Sequence, residues 1–443
     1  MADTLKSNVL TELSWRGFIE QITHPDELDV ALDDGSVTLY AGFDPSADSL
    51  HVGSLIPLMG LAFFHRHGHQ PVLLAGGATG RIGDPSGKSA ERVLKTDDEI
   101  RANLEGISAQ LRHVMARSLE MHTEGLGERA GHAREILFVD NNDWMAPWSY
   151  IDFLRDVGKF FRVNAMMAKD SVRTRLEERE QGISYTEFSY MLIQAYDFLH
   201  LFEHHGCSLQ VGGSDQWGNI TAGTDLIRRK LGKPAFGLTF PLLTTSSGQK
   251  LGKTEKGAVW LDAERTSPYE FYQYWRQRED ADVITMMQLF TFLPKEEIDA
   301  MATDLAEGRN RGQLQERLAH EVTTLIHGAG EAEKAVRASK MLFGEVIRDL
   351  TDRDLRSVFK DVPSTEMPRA QLNDQELKLF RLFVDTGLVS SNGEAKRLFK
   401  QNGGYLNNTQ TGAHHVVTEA DLASETMLVL RAGKKKYHVV RFV

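Results

Sequence analysis

A histidine and a glycine near the start of a predicted helix are the residues of this sequence best placed for chemistry. Segment 36–40 is rich in β-branched and aromatic residues, which predicts a buried strand followed by a turn. A helix is predicted to begin after Ser49, with His51 and Gly53 in its first turn, where backbone N–H groups and the helix dipole favour an anion. We expect a phosphate there, with His51 as hydrogen-bond donor; a purely structural histidine is the alternative.

A second group of charged residues lies in the glycine-rich segment 76–89. This segment is not a P-loop, because its glycine spacing is one residue too short. Asp84 follows a predicted strand, which favours contact with the ammonium group of a ligand, with the capping of a turn as the alternative. Lys88 and Arg92 add two cations near the same crevice.

Three polar residues interrupt an otherwise apolar helix predicted over 185–199. Tyr190, Gln194 and Asp197 are spaced i, i+4 and i+7, so they share one face of the helix. The polar stripe is narrow, which favours the wall of a pocket over the alternative, a face exposed to solvent.

Two loops farther along the chain have residues suited to the sugar and phosphates of a nucleotide. Gly212 and Gly213 follow a predicted strand, and Asp215 is placed to accept hydrogen bonds from ribose hydroxyls. Segment 244–254 combines small polar residues with Lys250 and Lys253, which predicts a loop able to close on phosphates.

These candidates lie near the ends of predicted strands, which indicates the fold that must position them. The strands are predicted at 36–40, 71–75, 136–139, 208–211 and 238–243, with helical patterns between several of them. A succession of strand, helix and strand favours a parallel sheet. The sequence therefore predicts an α/β fold for its first half.

Composition indicates an ordinary globular protein with more than one domain. The chain has 443 residues and a formal net charge of −11, which argues against nucleic-acid binding over its whole surface. Segment 376–443 has ten Lys or Arg residues and six acidic residues, so its charge is +4, whereas the remainder carries −15. This basic end favours contact with a polyanion, and a merely solvated basic surface is the alternative.

Cysteine usage and the first residues predict a cytoplasmic protein. Cys207 is the only cysteine, which excludes an intrachain disulfide and a cysteine-cluster metal site. The N-terminal residues lack the pattern of a signal peptide, and no uninterrupted apolar run reaches about 18 residues. We expect no membrane contact and no dedicated metal ligands.

Together, the motifs closely resemble those of the bacterial tyrosyl-tRNA synthetases, members of the class I aminoacyl-tRNA synthetases. The matching runs are 40–45 with 51–54, 76–88, 190–197 with 212–219, and 250–254, and the resemblance covers nearly the whole chain. Segment 51–54 resembles the first class signature, of the His-Ile-Gly-His type, and 250–254 resembles the second. One departure is Ser54, which stands where the first signature usually has a second histidine.

The resemblance implies a two-step reaction. The carboxylate of L-tyrosine attacks the α-phosphate of ATP, and the tyrosyl group then passes from the adenylate to tRNA(Tyr). The implied catalytic residues, which serve the triphosphate with Mg²⁺, are His51, Lys88, Arg92, Lys250, Lys253 and Thr254. The implied tyrosine-binding residues are Tyr40, Asp84, Tyr190, Gln194, Asp197 and Gln210. The implied residues for ATP and the adenylate are Gly42, Asp44, His51, Gly53, Ser54, Gly213, Asp215, Gln216 and Lys253.

The resemblance also implies a domain organisation and a homodimer. A Rossmann-like catalytic domain is expected over 1–243, a lysine signature loop and connection over 244–260, a helical anticodon-side domain over 261–350, a linker over 351–375 and a small α+β S4-like RNA-binding domain over 376–443. The alternatives are a related adenylate-forming enzyme of the tryptophanyl type and a non-catalytic RNA-binding protein. Tyr40 and Asp197, expected at the phenol oxygen, count against the first, and the signature lysines count against the second.

Overall fold

The computed structural model divides the chain into two compact units. The first consists of Met1–Asp262 and Arg278–Leu318, and the second of Ala263–Gln277 and Ala319–Val443. The predicted helical domain, 261–350, is therefore shared between the two units. The residues that the structure describes are 5–86, 95–121, 134–169, 172–173, 176, 182–246, 251–254, 257–310, 312–341, 344–348, 350–360, 362–372, 376–433 and 436–443.

A six-stranded sheet lies at the centre of the first unit. Its strands are β1 (Gln21–Ile22), β2 (Thr38–Phe43), β3 (Gln70–Ala75), β4 (Leu137–Asp140), β5 (Cys207–Gly213) and β6 (Phe236–Phe240). Their order is β1-β6-β5-β2-β3-β4, and all neighbours are parallel except β1 and β6. The five predicted strands and the predicted parallel sheet are confirmed, whereas β1 is too short to give a sequence pattern.

The direction in which strands are added reverses between β2 and β5. From β2 the sheet grows through β3 to β4, and from β5 it grows the other way to β6. Tyr40 of β2 lies beside Gln210 of β5 in the register. Because ligands of open α/β sheets bind beyond the carboxyl ends of the strands at such a reversal, the topology indicates a site next to these two residues.

The helix that carries the predicted polar stripe packs over the centre of this sheet. Tyr185–His205 begins at Ser184, whose hydroxyl accepts a hydrogen bond from the N–H of Glu187, and ends at Gly206, which has a φ of 62°. Its apolar side belongs to a buried cluster that includes Tyr40 of β2. The other helices of this unit are Asn8–Arg16, Pro25–Asp34, Leu55–Arg66, Thr79–Ile82, Asp97–Glu120, Asn142–Met145, Tyr150–Asp156, Val163–Met167, Trp217–Leu231, Asp280–Phe290 and Lys295–Ala306.

Several short elements complete the first unit. Two-residue strands β7 (Lys253–Thr254) and β8 (Gly257–Ala258) form an antiparallel pair. Single 3₁₀ turns occur at Val52–Ser54, Gly158–Phe160 and Ser214–Gln216. Among all described helices, none has the length and apolar character that a membrane span requires.

A five-stranded sheet organises the C-terminal part of the second unit. Its strands are β9 (Ser364–Met367), β10 (Gly404–Leu406), β11 (Thr409–Gln410), β12 (Met427–Ala432) and β13 (Lys436–Phe442), in the order β11-β10-β12-β13-β9. Two helices, Leu379–Asp385 and Asn392–Lys400, accompany it, which agrees with the small α+β domain predicted from the sequence. The remaining helices of this unit are Pro268–Arg276, Ala329–Met341 and Asp352–Val358, and Gln313–His327 belongs in part to each unit.

The prediction of a linker at 351–375 is wrong for most of that segment. Helix Asp352–Val358 begins with a capping box formed by Thr351 and Asp354. Strand β9 then joins the C-terminal sheet by pairing parallel to β13. The prolines at 363 and 368 flank β9, and a polar strand at the edge of a sheet lacks the alternating apolar pattern that would identify it from sequence.

The helices of the second unit and its sheet share a hydrophobic core. Met341 and Leu355 from the helices are buried in one cluster with Met427 and Val429 of β12 and Val439 of β13. The opposite face of the same sheet packs against the helices Leu379–Asp385 and Asn392–Lys400. The sheet is therefore covered on both faces by helices.

A turn of two asparagines fastens the hairpin β10–β11 to the helix Ala329–Met341. Asn407 and Asn408 join the two strands with φ values of 48° and 62°, which fits a type I′ turn, in which asparagine is favoured. Asn408 Nδ2 donates to the carbonyl oxygens of Met341 and Glu345, at 2.7 Å each. The turn therefore supplies hydrogen bonds to the end of a helix that precedes it by more than sixty residues.

Candidate active site

A cavity of about 180 Å³ lies at the carboxyl ends of β2 and β5, where the strand order reverses. For scale, a buried cavity of about 150 Å³ can hold benzene, so this cavity can hold one aromatic ring. All six predicted tyrosine-binding residues line it: Tyr40, Asp84, Tyr190, Gln194, Asp197 and Gln210. Four of the residues predicted for ATP and the adenylate also line it: Gly42, Asp44, Gly213 and Gln216.

Asp197 places a buried carboxyl group in the wall of this cavity. Its Oδ1 accepts a hydrogen bond from Trp144 Nε1 at 2.8 Å, and its Oδ2 accepts one from Asn141 Nδ2 at 3.0 Å. Burial raises the pKa of Asp197 to about 7, although the two hydrogen bonds act in the opposite direction. A carboxyl group that titrates near neutrality in a cavity is typical of a functional site.

Three polar atoms of the cavity residues are buried without a hydrogen-bond partner within the part of the chain that the structure describes. They are the hydroxyl of Tyr40 and the Oε1 atoms of Gln194 and Gln210. Because buried polar atoms are nearly always satisfied, three such atoms around one cavity indicate that a polar ligand completes them. Burial, together with the charge of Asp197, raises the pKa of Tyr40, so its hydroxyl keeps its proton and can donate.

Asp44 connects Tyr190 to the glycine-rich segment. The hydroxyl of Tyr190 donates to Asp44 Oδ2 at 2.8 Å, and Thr79 Oγ1 donates to Asp44 Oδ1 at 2.7 Å. Asn141 Nδ2 donates to Thr79 Oγ1 at 3.0 Å and also to Asp197. A chain of hydrogen bonds therefore runs along the cavity from Tyr190 to Asp197.

Asp84 supplies a third carboxylate, which is 8% exposed. Its Oδ2 accepts a hydrogen bond from Gln216 Nε2 at 2.6 Å, and its Oδ1 accepts one from the backbone N–H of Ser86 at 2.9 Å. Gln194 Nε2 donates to Gln216 Oε1 at 3.3 Å. A carboxylate held among neutral amides is suited to an ammonium group, since its negative charge has no cationic partner among these hydrogen bonds.

The segments that resemble the two class signatures contact each other. His51 and Trp260 form an antiparallel β-bridge, and their rings lie 6.3 Å apart between centroids. The N–H of Val52 donates to the carbonyl of Val259 at 2.9 Å, and the N–H of Val259 donates to the carbonyl of Gly252 at 2.9 Å. The backbone therefore joins residue 252 of the second signature to residue 52 of the first through one intermediate residue.

Two glycines allow this close approach. Gly252 has a φ of 81°, and a Cβ on it would lie 3.0 Å from the backbone nitrogen of Gly53. A Cβ on Gly53 would lie 2.8 Å from the ring of His51. A side chain at 252 would push the two signatures apart, and one at 53 would displace the ring of His51.

His51 occupies a different place in the helix from the one predicted. It is the N-cap of the 3₁₀ turn Val52–Ser54, and its Nδ1 accepts a hydrogen bond from the N–H of Gly53 at 3.0 Å. The predicted helix start after Ser49 is wrong, because the first helical turn begins at Val52. The hydroxyl of Ser49 donates to the carbonyl of the next residue and does not cap a helix. The N–H of Ser54 donates to the carbonyl of His51 at 2.8 Å. An imidazole that accepts at Nδ1 carries its proton on Nε2, which makes Nε2 the donor.

The structure describes the remaining predicted residues to different extents. Lys88, Arg92 and Lys250 lie outside the described residues. The structure describes the backbone of Lys253 and Thr254 as strand β7 and not their side chains. Asp215 lies in the 3₁₀ turn that follows β5, next to Gly213 and Gln216 of the cavity.

Sequence reasoning missed the residues that hold the acids in place. Asn141 and Trp144 bind Asp197, and Thr79 binds Asp44. Asn141 directly follows β4, so its position at a strand end was a usable signal. Trp144 had no distinguishing signal, because the segment around it is dense in aromatic residues whose pattern also fits a core.

Two family models match this chain. The model described as "tRNA synthetases class I (W and Y)" matches residues 32–344. The model described as "Tyrosine--tRNA ligase SYY-like C-terminal domain" matches residues 354–440. The two matches together account for both compact units.

Curated relatives match over nearly their full length. A tyrosine–tRNA ligase of Opitutus terrae is 50% identical over 98% of this chain and 100% of its own. One from Rhodopirellula baltica is 47% identical over 98% of this chain and 96% of its own. Tyrosine–tRNA ligase 1 of Bacillus subtilis is 45% identical over 98% of this chain and 100% of its own.

Solved structures agree with this grouping. A C-terminally truncated mitochondrial tyrosyl-tRNA synthetase of Aspergillus nidulans has a TM-score of 0.68 and 34% identity, and the match covers 76% of this chain and 94% of that one. A tryptophanyl-tRNA synthetase of Encephalitozoon cuniculi shares the fold, with a TM-score of 0.51 at 14% identity, over 78% of this chain and 90% of that one. The tyrosine-specific relatives and the C-terminal match do not favour the tryptophanyl alternative. The chain belongs to the tyrosine–tRNA ligase family of class I tRNA synthetases.

Proposed function

We propose that this chain activates L-tyrosine with ATP, releasing pyrophosphate, and transfers the tyrosyl group to the terminal adenosine of tRNA(Tyr). The observation that carries the proposal is the pair of buried polar groups in one ring-sized cavity, the carboxyl group of Asp197 and the unpartnered hydroxyl of Tyr40. A phenol between them donates to the carboxylate and accepts from Tyr40. Phenylalanine leaves the hydroxyl of Tyr40 unpaired and brings Asp197 no hydrogen-bond donor, which is the basis of discrimination between the two amino acids.

The α-ammonium group of tyrosine belongs with Asp84, Tyr190 and Gln194. The hydroxyl of Tyr190 donates its hydrogen bond to Asp44, so the lone pairs of its oxygen are available to accept from an N–H donor of the ligand. The unpartnered Oε1 of Gln194 is a further acceptor. An ammonium group has three N–H donors, which matches one carboxylate, one hydroxyl and one amide oxygen.

Activation requires alignment and charge stabilisation rather than a general base. The carboxylate of tyrosine is already ionised at neutral pH, so it can attack the α-phosphate directly. Negative charge grows on the phosphate oxygens during this attack. We propose that it is stabilised by His51, Lys88, Arg92, Lys250, Lys253 and Thr254, with Mg²⁺ entering as part of the ATP substrate. We propose that Asp215 binds the ribose. The backbone that contacts the nucleotide is that of Gly42, Gly53, Ser54 and Gly213.

Tyrosine binding should weaken below neutral pH. The pKa of Asp197 is raised to about 7 by burial, and its ionised form is the stronger acceptor for the phenol hydrogen. We therefore expect the Kd for tyrosine to rise by up to about tenfold for each pH unit below 7 and to level off above pH 8. The same shift means that the unliganded fold loses stability as the pH rises from about 4 to the raised pKa near 7, since the carboxyl group ionises in the unfolded chain while the folded chain keeps it protonated. Equilibrium dialysis with labelled tyrosine between pH 5.5 and 8.5 measures the first effect.

A matched variant separates Asp197 from other groups that titrate in this range. Asp197→Asn keeps the size of the side chain and removes its ionisation. Its tyrosine Kd, although higher than that of the parent, should be constant across the same pH range. A pH dependence that survives in Asp197→Asn would assign the titration to another residue.

The proposed function as a whole is tested by pyrophosphate exchange into ATP, run with each amino acid in turn. Exchange that depends on tyrosine alone is the expected result. Exchange that depends on tryptophan would support the related adenylate-forming enzyme, and no exchange with any amino acid would support an RNA-binding protein without catalysis.

We assign tRNA binding in part to the helix Asn392–Lys400. Ala395 and Phe399 are buried against the C-terminal sheet, whereas Lys396, Arg397 and Lys400 are exposed. Three cations on one exposed face of a helix can contact successive phosphates, and such contacts make binding depend on salt.

Replacing Lys396, Arg397 and Lys400 together by glutamine should weaken tRNA binding without affecting tyrosine activation. Each lost phosphate contact removes about 0.7 to 0.9 from the slope of log affinity against log salt, so the slope should fall by about 2 to 3. Filter binding of tRNA across a salt series measures the slope, and pyrophosphate exchange measures activation.

The control replaces Arg101, Arg117 and Arg228, three cations of the first unit outside 261–350, by glutamine. The net charge changes equally in both triple variants. An equal loss of slope in the control would show that overall charge, rather than the helix Asn392–Lys400, attracts the tRNA.

We further propose a homodimer that buries an exposed apolar patch of the first unit. Tyr150, Ile151, Val163 and Tyr185 are each more than 60% exposed. The hydroxyls of Tyr150 and Tyr185 are 3.0 Å apart, so the helices that carry them are adjacent. Large apolar side chains exposed to this extent are typical of an interface, and sedimentation velocity of the purified chain tests the proposal.

We place this activity in the cytoplasm. Cys207 is free and buried, which fits a reducing compartment. Fractionation of the source cells, followed by detection of the chain in the fractions, tests this location.

A further inference from the structure

Asn219 has not been given a role above, yet its side chain lies within hydrogen-bond distance of polar residues that line the cavity. It lies in the first turn of the helix Trp217–Leu231 and is 3% exposed. Its Nδ2 lies 3.2 Å from Gln216 Oε1, 3.4 Å from Ser86 Oγ and 3.5 Å from Asp84 Oδ1. One amide with two hydrogens therefore faces three acceptors, two of which belong to residues that line the cavity.

The shortest of these contacts decides how the amide of Gln216 is turned. Gln216 Oε1 accepts from Asn219 Nδ2 and from Gln194 Nε2, so two donors hold the oxygen in place. The Nε2 of Gln216 must then point the other way, where it donates to Asp84 Oδ2 at 2.6 Å. Without Asn219, one of the two donors that prevent rotation of this amide is lost.

Gln216 Nε2 has a second N–H that the amino acid can use. Its donation to Asp84 Oδ2 uses one of its two N–H groups, and Asp84 Oδ2 can still accept from an ammonium group beside it. The carboxylate of an α-amino acid lies one carbon away from its ammonium group, which makes it the natural acceptor of the second N–H. Both contacts form together only while the oxygen end of the Gln216 amide stays fixed.

We infer that Asn219 is a positioning residue that holds Asp84 and Gln216 in the orientation needed to receive the α-ammonium and α-carboxylate groups of the amino acid together. The inference rests on the proposed function, since it names the amino acid bound in that cavity. Asn219 does not touch the amino acid and acts through the two residues that do.

The test compares two ligands that differ only at the α-amino group. Tyrosine has the ammonium group, and 3-(4-hydroxyphenyl)propionate lacks it while keeping the phenol and the carboxylate. Asn219→Ala removes a donor from Gln216 Oε1 and Asp84 Oδ1 and frees the Gln216 amide to rotate, so the Kd for tyrosine should rise about tenfold or more. The inhibition constant of 3-(4-hydroxyphenyl)propionate in pyrophosphate exchange should rise by a smaller factor, because this ligand uses Gln216 but not Asp84.

A control on the same helix separates positioning from a loss of helix stability. Thr224→Ala removes a hydroxyl that donates only to the carbonyl of Thr221, within the helix, at 3.1 Å. Both ligands should bind this variant as they bind the parent. The melting temperature of each variant, measured without ligand, shows whether it folds.

Asn219→Asp supplies a second readout that a merely structural role would not move. The substitution keeps the shape of the side chain but places a carboxylate against Asp84, with no N–H to donate. Protonation restores a donor, so tyrosine binding, expressed relative to the parent at each pH, should recover as the pH falls from 8 to 5.5.

The outcomes distinguish this inference from the proposed function. If the parent chain does not bind tyrosine, the proposed function fails. If the parent binds tyrosine and Asn219→Ala weakens both ligands by the same factor, or Asn219→Asp shows no pH-dependent recovery, Asn219 is only part of the packing and the inference is overturned.

Discussion

Asp197→Ala should lower kcat/KM for tyrosine in pyrophosphate exchange by at least about 10³-fold. The substitution removes the acceptor of the phenol proton, leaves Trp144 Nε1 without this acceptor and leaves Asn141 Nδ2 with Thr79 alone. The discrimination between tyrosine and phenylalanine should fall at the same time. Rejection of phenylalanine by unpaired buried groups is the known behaviour of this family, so the magnitude is a family expectation.

The control for Asp197→Ala is another buried carboxylate of the first unit. Asp29 accepts hydrogen bonds from the backbone N–H groups of Lys6 and Ser7, at 2.8 and 2.9 Å. Asp29→Ala should lower the melting temperature and leave the ratio of kcat/KM between tyrosine and phenylalanine unchanged. If Asp197→Ala kept that ratio as well, Asp197 could not be the group that recognises the phenol.

Lys253→Ala should slow adenylate formation by about 10²- to 10³-fold while the Kd for tyrosine changes less than twofold. Residue 253 directly follows Gly252, which packs on Gly53 next to the ring of His51. The role proposed for Lys253 is to meet the triphosphate and not the aromatic ring of the amino acid. Rapid-quench measurement of tyrosyl-adenylate in a single turnover gives the rate, and equilibrium dialysis gives the tyrosine Kd.

Lys295→Ala is a suitable control, because Lys295 is an exposed lysine of the same unit that pairs with Asp299 at its surface. It should leave both quantities unchanged. A large rise in the tyrosine Kd of Lys253→Ala, equal to that of Asp197→Ala, would contradict the separation of the cavity into a part for tyrosine and a part for phosphates.

The sequence was sufficient to predict residues whose function follows from local pattern. The stripe of Tyr190, Gln194 and Asp197 is visible because helix periodicity places the three side chains on one face. The strands were visible because apolar segments alternate with glycine-rich turns. These predictions need only neighbours within a few turns of the chain.

Residues that act through contacts distant in sequence could not be predicted in this way. Thr79, Asn141 and Asp197 meet only because β3 and β4 lie side by side and the helix Tyr185–His205 crosses the sheet. Nothing in the local pattern of any one segment indicates that meeting. The strand β9 was missed for a similar reason, since its partner β13 lies some seventy residues farther along the chain.

The hairpin turn of Asn407 and Asn408 and the core beneath it affect the entropy change of nucleic-acid binding. Met427 and Val429 of β12 are buried against Met341 and Leu355, so the basic module cannot be cut away at the predicted linker without stripping apolar surface from the helices before it. The helices and the sheet of the second unit are therefore already ordered before tRNA binds. A tethered tail that becomes ordered on contact loses conformational entropy, which weakens its affinity for tRNA, and this unit does not have that cost.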